Sequence, residues 1–237
     1  MTPLTVVTWK WAPKPGYRST FGPATVNVLR RMVARHYPAP HRFVCVTDDA
    51  TGIDPDIEIV PDWKDFADLP APTGARNPSC YRRLRMYAPD IAAVFGPRFV
   101  SLDLDLVITA DLTPVFDRPE DFVIWGDTNP RTFYNGSMVL MTAGARPHVW
   151  TSFDPVTSPR QARAVGHFGS DQGWISYCLG PHEVRWTKGD GVYSFHNHLQ
   201  HAQRLPPDAR VVVFHGHRDP WQRQVQQRYP WIATHYH

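Results

Sequence analysis

The 237-residue sequence predicts an α/β fold with a mostly parallel central sheet and helices on both faces. Three observations predict it. Short apolar runs alternate with a helix-period segment through the first half, which is the pattern of wound strand–helix–strand units. The length suits one large domain with a core that needs no disulfides. One apolar run, Arg98 to Leu102, stops at the acidic pair Asp103 and Asp105, and ligands of open α/β sheets gather at the carboxyl ends of strands.

Each element has its own signal. Leu4–Thr8 reads as a first strand and is followed by an aromatic, Gly/Pro-rich loop from Trp9 to Gly22. Ala24–Tyr37 reads as a helix, with Val26, Leu29 and Val33 on one face and Arg30, Arg31 and Arg35 mostly outside it. His41–Thr47 and Ile57–Val60 are the next strands, and residues 61–80 a loop. Ser79–Tyr87 reads as helical and ends before Pro89. Phe122–Trp125, Ser137–Met141 and Arg210–Phe214 are further strands, the last ending at His215. Ser170–Leu179 reads as a helix capped by Ser170, with Asp171 in its first turn. Residues 180–209 read as irregular, and no repeat or low-complexity tract interrupts the chain.

Composition narrows the function classes. With 42% hydrophobic and 20% charged residues the chain is globular rather than disordered. A net charge of +3, with His neutral, gives no footprint for nucleic acid. The 24 prolines, about twice the usual ~5%, imply long stiff loops. Arginine greatly outnumbers lysine, which occurs only at 10, 14, 64 and 188. Guanidinium forks suit phosphates, but a GC-rich genome explains such a bias as well. The cysteines Cys45, Cys80 and Cys178 are an odd number and suit a reducing compartment. No segment approaches the ~20 apolar residues of a membrane span and no signal peptide is visible, so the expectation is a cytoplasmic protein without a transmembrane segment.

The i, i+2 spacing of Asp103 and Asp105 puts both carboxylates on one side of an extended chain. Two such groups repel unless a cation lies between them. Oxygen ligands of this kind suit Mg²⁺ or Mn²⁺, which also hold phosphate oxygens. A solvated strand-to-loop turn explains a lone Asp-x-Asp better, so the flanking apolar residues and the remaining motifs decide.

Five segments in order are similar to the retaining GT-A glycosyltransferases of family 8, the glycogenin and bacterial galactosyltransferase group. Tyr81-Arg82-Arg83-Leu84-Arg85 resembles the family's Tyr-x-Arg-Leu segment. Leu102-Asp103-Leu104-Asp105 matches its Asp-x-Asp motif. Tyr134-Asn135-Gly136-Ser137-Met138-Val139-Leu140 resembles its Phe-Asn-Ala-Gly-Val-Leu-Leu strand, and Ser170-Asp171-Gln172-Gly173 its Asp-Gln-Asp segment. Val213-Phe214-His215-Gly216-His217-Arg218-Asp219-Pro220-Trp221 looks like its terminal His…Gly-x-x-Lys-Pro-Trp. Together they cover about residues 80–221. The first 80 residues agree only in fold-level pattern.

The resemblance implies a GT-A (Rossmann-like) fold over residues 1–237 as a single glycosyltransferase domain, with a nucleotide-binding part to about residue 110 and an acceptor or closing part beyond it. It implies transfer of a hexose from a nucleotide-sugar, with UDP as the expected nucleotide, with retention and on a divalent ion, Mn²⁺ or Mg²⁺. Asp103, Asp105 and His215 would ligate the metal, and Asp103 would also hold the ribose. Arg83 would reach the donor phosphates or sugar. Asn135 and Asp171 would bind the transferred sugar, with Gln172 beside the reacting carbon. Gly216 and Arg218 would lie near the diphosphate, and Trp9 or Tyr17 would cover the base.

The chain departs from the family at its end: the histidine adjoins Gly216, Val213 stands at the family's histidine position when the glycine is aligned, and the lysine is replaced by Asp219. That leaves His217 as a rival ligand to His215. His196, His198, His201, His235 and His237 crowd the same region without the spacing of a structural zinc site. A sugar-phosphate nucleotidyltransferase would share the sheet but calls for a Gly-rich loop after the first strand, and Trp9–Gly16 has one glycine. A catalytically decayed binding module is the other alternative. The glycan, lipid or protein acceptor is not encoded in any motif; it would sit on residues 61–80, 142–169 and 180–209.

Overall fold

The computed structural model describes residues 3–12, 20–72, 74, 79–126, 131–202 and 204–237. Among the described residues ten strands run in chain order: β1 (Leu4–Lys10), β2 (His41–Thr47), β3 (Glu58–Pro61), β4 (Arg98–Leu102), β5 (Leu106–Ile108), β6 (Phe122–Trp125), β7 (Asn135–Thr142), β8 (Arg185–Trp186), β9 (Val192–Ser194) and β10 (Val211–Val213). The helices are α1 (Pro23–His36), α2 (Ala92–Phe95), α3 (Thr113–Phe116), α4 (His148–Thr151), α5 (Ser158–Ala164), α6 (Asp171–Leu179), α7 (Arg223–Arg228) and α8 (Pro230–His235).

Seven strands form the main sheet in the order β3-β2-β1-β4-β7-β6-β8. All its pairings are parallel except those of β7, which runs antiparallel to β4 and to β6. The α/β expectation is borne out. A small sheet, β5-β10-β9, stands beside it.

Both faces of the main sheet are buried, as apolar strand runs require. Successive side chains point to opposite faces, so neighbours divide between two cores. Val6, Val100, Leu140 and Val123 pack into the core that holds α1. Val7, Phe99, Val139 and Ile124 pack into the core that holds Tyr81, Leu84 and Ile175.

Helix α1 starts with proline in its first turn, where no backbone donor is lost. It buries Thr25, Val26, Leu29, Met32 and Val33, the i, i+3, i+4 stripe that its sequence predicts, and Arg35 and His36 lie in its last turn. The segment Tyr81–Tyr87 forms a 3₁₀ helix. Residues 180–209 contain more order than the sequence suggests: β8, a short 3₁₀ turn, β9 and the π-helical turn Phe195–Leu199. Among the described residues, no helix is long and apolar enough to cross a membrane.

Candidate active site

Topology brings the motifs together. Strands β1 and β4 are parallel neighbours and end at the same edge, delivering Trp9 and Trp11 from one and Asp103 and Asp105 from the other. Strand β7 is antiparallel to β4, with Met138 opposite Leu102, so its first residues, Asn135 and Ser137, arrive at that edge too. Strand β10 pairs with β5, Val213 opposite Leu106. That register sets Asp105, just before β5, against Phe214 and His215, just after β10; the Phe214 N–H donates to the Asp105 carbonyl at 2.9 Å. Asp171 and Gln172 open helix α6 from the far side. These side chains border one cleft of about 350 Å³.

Its centre is a buried ion network. Arg83 pairs with Asp103 through Nη1 and grips Asp171 through Nη2 at 2.7 Å and Nε at 2.9 Å. Arg83 and Asp171 are buried, whereas the Asp103 side chain is 26% exposed and faces the cleft. Burial alone would lower the Arg83 pKa, but the Asp103 and Asp171 carboxylates raise it well above the ordinary value, so the charge is permanent. Burial pushes the Asp171 carboxyl upward against the pull of Arg83. The second oxygen of Asp103 accepts the Ser137 hydroxyl at 2.6 Å. The guanidinium fork is thus taken up by protein acceptors, including the Gly136 carbonyl at 3.3 Å.

The network explains a glycine. A Cβ on Gly136 would stand 2.9 Å from Arg83 Nη2 and 3.0 Å from Asp171 Oδ2. Gly136→Ala is expected to push this pair apart and destabilise the fold by about 1–3 kcal/mol. Thermal unfolding measures the loss, and wild-type stability in the variant would show that the pair has slack.

Ser170 does not cap α6 with its side chain. Its hydroxyl instead accepts the Cys80 N–H at 2.9 Å. That bond ties the start of the 3₁₀ helix to the start of α6 and brings Arg83 to Asp171. Gly169 has φ +87°, a left-handed conformation suited to glycine, and a Cβ there would strike Gln172.

His215 borders the cleft, with its Nε2 2.6 Å from the Ser194 Oγ. Two carboxylates and an imidazole on one cleft are a donor set whose chemistry fits Mn²⁺. Among the described residues, however, no three His, Cys, Asp or Glu side chains stand together as a metal-holding group. Asp103 is engaged by Arg83 and Ser137, and His215 by Ser194.

The remaining candidates divide. Trp9 borders the cleft but is buried, with its Nε1–H donating to Ser101 Oγ at 3.1 Å. Tyr17 lies outside the described residues. Gly216 and Arg218 are not on the cleft wall; Arg218 Nη1 donates to Gln200 Oε1 at 3.0 Å. Sequence reasoning passed over Trp11, which is half-buried on the cleft wall with the Arg82 guanidinium 4.6 Å from its ring centroid. Arg82 is itself anchored by a buried ion pair with Asp62. It also passed over Ser137 and Ser194, short hydroxyls whose partners only the folded chain reveals.

No protein-family model matches the chain, and no curated protein matches it. Solved structures do. The galactosyltransferase LgtC, solved with donor and acceptor sugar analogs, superposes with a TM-score of 0.62 at 15% identity, over 98% of this chain and 95% of that one. The glycosyltransferase GlyE of Streptococcus pneumoniae TIGR4 gives 0.57 at 13% identity, over 93% of this chain and 57% of that one. The bifunctional glycosyltransferase WbbM gives 0.53 at 13% identity, over 94% of this chain and 47% of that one. The chain has the GT-A glycosyltransferase fold, and the resemblance drawn from its motifs is borne out at that level.

Proposed function

We propose that the chain is a glycosyltransferase that moves a hexose from a UDP-sugar to an acceptor hydroxyl, with retention and with a divalent ion. The observation that supports it most is the cleft: on a glycosyltransferase fold, Asp103, Asp105, Asn135, Asp171 and Gln172 border one space beside an aromatic wall. All 237 residues are taken as one catalytic domain, with nucleotide held by roughly the first 110.

The residues divide the work. Asp103 and Asp105, with His215 as third ligand, would hold Mn²⁺ or Mg²⁺. Such an ion supplies electrostatic stabilisation of the negative charge that develops on the leaving diphosphate. Arg83 keeps Asp103 and Asp171 at fixed positions, so neither carboxylate reorganises during reaction. Asn135 and Asp171 orient the transferred sugar, and Gln172 lies beside its reacting carbon. The half-buried Trp11, with the Arg82 guanidinium 4.6 Å from its ring centroid, would stack on the base. Stacking of a base on an aromatic ring contributes about 1–3 kcal/mol. Trp11→Ala is expected to weaken UDP binding by that amount in a calorimetric titration, and unchanged affinity would assign the base elsewhere.

Slow hydrolysis of UDP-sugars tests the activity without knowledge of the acceptor. Release of UDP with Mn²⁺, lost with EDTA, is the expected result. No release from UDP-glucose, UDP-galactose or their N-acetylated forms would leave the fold without this function.

A further inference from the structure

Ser194 ends strand β9, opposite Val213 of β10 and beside the chain that leads into His215. It is fully buried. Its N–H donates to His198 Nδ1 at 3.0 Å, its Oγ accepts the Asn197 N–H at 3.0 Å, and the same Oγ stands 2.6 Å from His215 Nε2.

Counting hydrogens settles the direction of the last bond. A serine hydroxyl has one hydrogen and two lone pairs. Asn197 occupies one lone pair. The hydroxyl hydrogen, shut off from solvent, needs an acceptor, and His215 Nε2 is the acceptor that stands in reach. Nε2 therefore carries the ring's lone pair, and the neutral imidazole has its proton on Nδ1. If Nε2–H donated instead, the buried hydroxyl hydrogen would have no partner among the described residues.

We infer that Ser194 is a positioning residue that sets the tautomer of His215 and competes with a metal ion for its Nε2. The inference about competition rests on the reading of His215 as a ligand. In that reading His215 reaches the ion through Nε2 once the Ser194 hydroxyl turns away, and the ion's binding carries the cost of one hydrogen bond. This differs from the usual support of a ligating histidine, in which the second ring nitrogen donates its N–H to a neighbour.

Two measurements test it. The first is the ¹⁵N spectrum of the metal-free wild-type protein, with His215 assigned by its loss in His215→Ala. Protonation at Nδ1 is expected; protonation at Nε2 overturns the inference. It needs no change at Ser194, so it holds even where a variant folds poorly. The second is calorimetric titration of Mn²⁺ in saturating UDP for wild type, Ser194→Ala and His215→Ala. Ser194→Ala is expected to bind Mn²⁺ about two- to tenfold more tightly, the value of one lost competing hydrogen bond, while His215→Ala binds it more weakly. Unchanged or weaker binding in Ser194→Ala, beside a weakened His215→Ala, overturns the competition. Unchanged Mn²⁺ affinity in His215→Ala overturns the ligand reading and the competition with it, and the tautomer then stands or falls on the spectrum alone.

Discussion

Replacing Arg83 by methionine is expected to destabilise the protein by about 3–5 kcal/mol, the usual cost of stripping one partner from a buried charged network. The guanidinium is the common partner of Asp103 and Asp171, and Asp171 is almost completely buried. Without it Asp171 must be protonated or hydrated, and the loops carrying the two carboxylates lose the group that fixes their spacing. Urea unfolding reads the loss directly. Adding Asp171→Asn to the Arg83 variant should recover part of it, because the stranded charge is gone. A loss below about 1 kcal/mol in Arg83→Met would mean that the network is solvated and does not hold the site together.

Asp105→Ala is expected to act oppositely, with a large effect on binding and a small one on folding. The hydrogen bond that joins this turn to β10 uses the Asp105 carbonyl, which alanine keeps. Asp105 borders the cleft, although it is only 8% exposed and its Oδ1 is shut off from solvent. UDP binding in the presence of Mn²⁺ should therefore fall to the level seen with EDTA, while the unfolding midpoint stays close to wild type. Undiminished UDP affinity would remove Asp105 from the site.

These two predictions rest on different levels of the sequence. The acidic pair was legible because an apolar strand runs into it, and β4 ends at Leu102 as its hydrophobic run does. Helix α1 was legible because its buried stripe follows the 3.6 period. The reversed direction of β7 was not, since an apolar strand reads the same in either direction. Strands β8 and β9 have two and three residues, too few to show a period, and exist because β6 and β10 pair with them. The serine contacts were hidden for a related reason. Ser137 meets Asp103 across 34 residues and Ser194 meets His215 across 21, so the register of the sheets, not local pattern, selects those hydroxyls. At Ser170 the sequence promised a helix cap, and tertiary structure spent the hydroxyl on Cys80 instead. Trp9 lies in β1 and Trp11 just past its end, and only packing distinguishes the buried ring from the half-exposed one.

In the proposed function the cleft holds a nucleoside diphosphate on a divalent ion. Calorimetric titration of UDP into the protein, first with Mn²⁺ and then with EDTA, tests it most directly. Metal-dependent binding in the micromolar range, about −8 kcal/mol, lost on chelation, is the expected result. Absence of UDP binding under both conditions, or binding of equal strength with and without the metal, would contradict it.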